Sequence, residues 1–176
     1  PTGFASGGAY SNFSDSSPPS DYALVAVGSA GEYLVASARR ISASDTDIVV
    51  NRYSASNVLL GTTTLNAPEN TAGLDNRVKL DLLKDGSYVV SWVGTDSAGN
   101  GSDNSVYLQK FSASHATVGS LTKLEGSGIT NGADNSQFVT ALGTDGSYAV
   151  TWIGASSGGV KNVYTQVFTA AGTAST

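Results

Sequence analysis

The chain has 176 residues, 40% hydrophobic and 13% charged, with nine Lys and Arg against fourteen Asp and Glu, and neither Cys nor Met. A net charge of −5 with scattered basic residues excludes the concentrated basic face that a nucleic-acid partner needs. No apolar run approaches the roughly 18 residues that cross a bilayer as a helix, and the hydrophobic content excludes a disordered chain.

The length suits a single domain over residues 1–176. Without cysteine, rigidity cannot come from disulfides; bound calcium is a common substitute where Asp, Asn, Gly and Ser crowd the loops. The chain opens without Met or an apolar signal region, as expected of a segment of a longer protein.

In chain order, residues 1–20 contain GFASGGAYSNF, with Phe4, Tyr10 and Phe13 amid small residues. A first repeat begins at Asp21, DYALVAVGSAGEYLVASARRISASDTDIVVNRYSASNVLLG, and keeps Tyr33 and Tyr53 at positions that recur later. A second begins near Asp75 and carries DGSYVVSW at 85–92; a third begins near Asp134 and carries DGSYAVTW at 145–152. The repeats therefore divide the domain at about 21–74, 75–133 and 134–176.

Inside each repeat the pattern has period two, is rich in Val, Tyr, Thr, Leu and Phe, and is broken by Gly, Asp, Asn and Ser. It predicts strands near 76–83, 87–94, 105–112 and 116–125 in the second copy and near 137–143, 147–154 and 162–169 in the third. Lys84-Asp85-Gly86 joins the first pair of strands as a hairpin. No segment has the period or length of a helix.

The fold class is thus all-β, three copies of an antiparallel four-stranded meander. Tyr88, Val90 and Trp92 face one way and Val89 and Val93 the other, so the sheet is apolar on both sides and must be covered on both. That favours a closed propeller-like or prism-like arrangement over a β-sandwich. Trp92 and Trp152 are expected to fill gaps between sheets. The third copy ends at AAGTAST without a full fourth strand, and residues 1–20 are expected to supply a closing strand beside 162–169.

Catalytic signals are few. His115 is the single histidine, and it lies in a turn-like SASHATVG with no G-x-S-x-G elbow to pair with. No phosphate-binding Gly loop appears. Two-carboxylate chemistry stays open on eleven Asp and three Glu, but these lie mainly at turns. The chain is not expected to be an enzyme.

What remains is oxygen-rich loops. GTDSAGNGSDNS at 94–105 offers Asp96, Asn100, Asp103 and Asn104, and SASDTDIV in the first copy offers Asp45 and Asp47, whereas the third copy has GASSGGVKN with Lys161. Calcium takes six to eight such oxygens. Asp96, Asp103, Asn104, Asp45 and Asp47 are the candidate metal ligands, with Asp96, Asn100 and Asp103 the candidate contacts to a ligand. The alternative is that these are solvated turns. Asp21, Asp75 and Asp134, which open the copies, are expected to be structural turns or caps.

The series DGSYVVxW, a Gly/Asp loop, then VYxQxF, a turn and Gly resembles repeats of very large bacterial Repeats-in-toxin (RTX) surface adhesins, most of all their peptide-binding, or ligand-binding, domain. The resemblance spans about residues 21–172. It implies an extracellular, cell-surface location, calcium dependence, and recognition of short peptide ends on a target cell, with roles in adhesion and biofilm. The expected partner is a cell-surface peptide or protein, or a glycan, with no nucleic acid and no membrane insertion; the chain is expected to be a monomeric module of a larger one. The alternatives are a structural spacer of the same giant protein and a carbohydrate-binding module.

Overall fold

The computed structural model describes residues 23–68, 73–96, 103–124, 137–155 and 160–175. Eleven strands are present in them: β1 (Ala23–Val27), β2 (Tyr33–Ser42), β3 (Asp45–Tyr53), β4 (Leu59–Leu65), β5 (Asp75–Leu82), β6 (Tyr88–Asp96), β7 (Asp103–Phe111), β8 (Thr117–Leu124), β9 (Gln137–Leu142), β10 (Tyr148–Ala155) and β11 (Lys161–Phe168). There are no helices among the described residues. The strands form three antiparallel meanders, β1-β2-β3-β4, β5-β6-β7-β8 and β9-β10-β11, one for each repeat.

The recurrent DGSY is explained by its hairpin. Gly86 and Gly146 hold φ of +83° and +84°, which a residue with a Cβ adopts only under strain. The preceding Asp locks the turn: Asp85 Oδ1 accepts from Ser87 N (2.9 Å) and Ser87 Oγ (2.6 Å), and Asp145 does the same for Ser147 at 3.0 and 2.6 Å.

The Tyr that follows has a task the repeat alone did not reveal. At the next turn of the first two sheets one residue takes positive φ, Asn57 at 66° and His115 at 70°, and the hydroxyls of Tyr33 and Tyr88 bond Asn57 Oδ1 and His115 Nδ1 respectively. Gly172 (φ +78°) takes that place in the third sheet. Each Tyr also stacks on the aromatic residue opposite it: Tyr33 on Tyr53, Tyr88 on Phe111 and Tyr148 on Phe168, with centroids 4.8–4.9 Å apart.

The core lies between the sheets, in two layers. One joins Leu34, Ala36, Ala38, Ile48 and Val50 of the first sheet to Tyr88, Val90, Trp92, Tyr107 and Phe111 of the second. The other joins Val89, Val93, Val106 and Leu108, on the opposite face of the second sheet, to Phe138, Tyr148, Val150, Trp152 and Phe168 of the third. The second sheet is thus covered on both sides, and in both layers the face bearing Tyr, Val and Trp meets the Tyr-free face of the preceding sheet. Both Trp lie in these gaps, as their spacing suggested.

Among the described residues the third sheet has three strands rather than four. The chain turns back after Phe168, however, and Ala174 bridges Phe168 while Ser175 N donates to Val167 O (2.8 Å). One end of the β11 edge is therefore met by residues 173–175, which the sequence pattern did not anticipate. The closing strand expected from residues 1–20 lies outside the described residues, as does Asp134.

Candidate functional site

The meander topology sorts the connections by end. Tight turns after β1, β3, β5, β7 and β9 share one end; the last residues of β2, β4, β6, β8 and β10 share the other. The candidate acids all belong to this second end.

Residues 73–75 tie two sheets together there. Thr46 N donates to Gly73 O (3.0 Å), Thr46 forms a parallel bridge with Leu74, and both Thr95 N (3.1 Å) and Thr95 Oγ1 (3.2 Å) donate to Leu74 O. The acids of β3 and the end of β6 are thereby brought to one junction.

Asp75 lies inside it, 1% exposed. Its Oδ2 accepts from Ala67 N (3.2 Å) and its Oδ1 from Trp92 Nε1 (3.1 Å). Burial pushes its carboxyl up to about 7, against the pull of those two hydrogen bonds and with added repulsion from Asp47 and Asp45. Gly94 is its register partner across β5–β6, and a Cβ there would run into the Asp75 carboxylate and the Ala67 methyl. A glycine is required by this close approach. In this copy the opening Asp is a cap for a buried indole.

Asp47 is buried as well. Its Oδ2 lies 3.8 Å from Arg39 Nη2, its cross-strand partner, and the Asn66 side-chain amide donates to its Oδ1 (2.5 Å). Burial first, then Asp45, raises the Asp47 carboxyl, while Arg39 opposes. Asp45, half-buried at the start of β3, has an Oδ1 with no hydrogen-bond partner among the described residues.

Asp96 is the last residue of β6 and Asp103 the first of β7, and they are direct cross-strand partners; Asn104 pairs with Thr95 next to them. Asn100 lies outside the described residues. The structure therefore gathers Asp45 and Asp47 with Asp75 at the junction and sets Asp96 against Asp103 at the same end. Among the described residues no three carboxylate or imidazole groups converge on one point as a complete metal shell. The donors present are all oxygens, the kind a hard cation takes.

His115 belongs to the opposite end. It stacks on Phe111 and Tyr88 at 5.7 and 5.9 Å, its Nδ1 meets the Tyr88 hydroxyl, and its Nε2 lies 3.1 Å from Thr63 Oγ1 in the first sheet. Burial and then Arg52 hold its imidazole below the usual value. Both ring nitrogens are engaged, Nδ1 within the second sheet and Nε2 in joining it to the first. The cleft nearby, bordered by Glu32, Arg52 and Tyr88, has a volume of about 10 Å³, room for one water.

The fold defines an all-β protein of three repeated antiparallel sheets, with Asp45, Asp47, Asp75, Asp96 and Asp103 at one end and Glu32, Asp85 and Asp145 in the tight turns of the other. No family model and no curated protein matches the chain. Among solved structures it is similar to an endo-arabinase from Bacteroides thetaiotaomicron, at 14% identity and a TM-score of 0.47, over 85% of this chain and 56% of that one. The chain thus spans little more than half the length of that protein.

Proposed function

We propose that the chain is a calcium-dependent adhesion module of the bacterial cell surface that binds a short peptide or peptide terminus on a target cell, its three sheets arranged as successive blades of a propeller-like body. The observation that carries this reading is the register placing Asp96 directly opposite Asp103, at the end where Asp45, Asp47 and Asp75 are gathered. Like charges directly opposite on neighbouring strands destabilise a sheet unless a counter-charge sits between them. A divalent cation supplies one.

Asp96, Asp103 and Asn104 would hold the ion on the second sheet, with Asp45 and Asp47 as oxygen donors from the first. A bound calcium also offers coordination positions to a peptide carboxylate, which allows a chain of net charge −5 to take an anionic group. Asp96, Asn100 and Asp103 would border that contact. The blade arrangement is supported by the second sheet, which has a core layer on each face.

The experiment is thermal melting with millimolar calcium and with excess chelator, followed by peptide and glycan arrays in both conditions. An ion at 100 times its Kd adds about 2.7 kcal/mol to the folded state, so melting rises clearly with calcium. Asp96→Ala with Asp103→Ala removes that rise and the peptide signal while the fold persists. Melting indifferent to calcium overturns the calcium reading; binding to glycans alone, or to nothing, replaces the peptide reading with a carbohydrate module or a spacer.

A further inference from the structure

The two core layers follow one rule, and the rule leaves two faces over. In each layer the Tyr-Val-Trp face of one sheet meets the Tyr-free face of the sheet before it. The first sheet therefore keeps its own Tyr face outward, and the third keeps its Tyr-free face outward. Among the described residues both carry exposed Val beside a polar pair, Asn51–Thr62 on the first and Thr151–Thr165 on the third: Val25 and Val27 are 64% and 56% exposed on the first, and Val139, Val163 and Val167 are 57%, 71% and 47% exposed on the third. Such contiguous exposed Val on a sheet face marks an interaction surface.

We propose that this surface is occupied by a second copy of the same chain, docked head to tail, with the outer face of its first sheet against the outer face of the third. The proposal is independent of the calcium reading. Face type alone would admit any sheet of this repeat, but side-chain volume selects this chain's own first sheet. In the layer that holds Trp92, β2 contributes the small Ala36 and Ala38; in the layer that holds Trp152, β6 presents Ser91 and Val93 at those repeat positions. On the open face β10 presents the bulkier Thr151 and Ile153, which leave less room for an indole. The first sheet carries Ser37 at the Trp position. The large residues thus face a small one.

Such a contact joins unlike faces, so it propagates from copy to copy or closes a ring, and it cannot be made by two identical faces. This sets its test. Sedimentation velocity of the wild-type chain, from low micromolar to near-millimolar concentration, with calcium and with chelator, shows mass rising with concentration in both. Val25→Asp spoils one face and Val163→Asp the other; both sites are exposed, and unchanged circular dichroism and melting confirm the fold. Each variant alone stays a monomer. Mixed in equal amounts, they recover one productive contact and form a dimer that grows no further. A wild-type chain monomeric throughout, a single variant that still associates, or a mixture that stays monomeric overturns the proposal.

Discussion

Asp75 makes the pH dependence of stability the sharpest test of the junction. Its carboxyl rises from 3.8 to about 7 on folding, roughly three pH units, which at ~1.36 kcal/mol per unit is about 4 kcal/mol of preference for the protonated acid. Because the folded value is raised, this contribution is fully present below the unfolded value and is lost as pH rises through about 7. Two of those units lie above pH 5, so about 3 kcal/mol of it disappears between about pH 5 and about pH 9. Asp75→Asn keeps the shape and removes the titration, but it turns one of the two acceptors into a donor facing Ala67 N or Trp92 Nε1. A lost buried acceptor costs about 1–3 kcal/mol. At about pH 5 the variant is therefore the less stable protein; by about pH 9 the difference has closed or reversed, a swing of about 3 kcal/mol. Urea unfolding across this range, in chelator, reads it directly. A variant offset by the same amount at both ends of the range would show that Asp75 does not titrate as a buried acid.

Trp92→Phe and Trp152→Phe remove the same group from two equivalent cores, but only Trp92 Nε1 has a partner, Asp75, while Trp152 Nε1 has none among the described residues. Trp92→Phe should cost about 1.5–3 kcal/mol more at alkaline pH, where Asp75 is ionised, and equal costs in urea unfolding would remove the indole from the account of Asp75. For His115 the folded value is lowered, so its contribution is present above the unfolded value of 6.5 and is lost as pH falls below it. In the Asp75→Asn background, stability should decline below about pH 6.5, and His115→Asn, the residue found at the equivalent turn of the first sheet, should abolish that decline. An unchanged acid limb after the substitution would show that the histidine is not the group titrating.

Strand positions were legible because alternation and turn chemistry act locally. The predicted 87–94 and 105–112 are Tyr88–Asp96 and Asp103–Phe111, and the hairpin falls at Lys84-Asp85-Gly86 as its glycine requires. The double-sided core of the second sheet was legible for the same reason, since Val89 and Val93 alternate with Tyr88, Val90 and Trp92. What was not legible depends on contacts distant in the chain. Nothing local distinguishes an Asp that ends a turn from one that enters a core, so Asp75 read as a generic cap; its partner Trp92 lies 17 residues on. The bulge between Asn76 and Lys79, with Arg77 at φ 51°, likewise has no glycine to announce it. His115 read as a loop residue because its partners lie far along the chain, Tyr88 27 residues back on β6 of its own sheet and Thr63 52 residues back in the first sheet.

One series of residues shows how the repeats diverge under a physical constraint. Arg52, Lys110 and Val167 each precede the aromatic residue that stacks on the repeat's Tyr. Lys110 is 4% exposed, and its Nζ donates to Gly146 O (3.1 Å) and Ala170 O (2.5 Å), carbonyls in two turns of the third sheet, while lying 5.7 Å over the Tyr148 ring. Arg52 borders the corresponding turns of the second sheet, at Gly86 and Ala113. A buried ammonium is costly unless its protons find acceptors, and here the docked sheet supplies them where packing removes water. Where a next sheet is docked, a cation stands; at Val167, half-exposed on the outer face of the third sheet, it is replaced by an apolar side chain. With no docked carbonyl among the described residues of that face, a charge has no partner there, and a valine leaves apolar surface beside the Thr151–Thr165 pair.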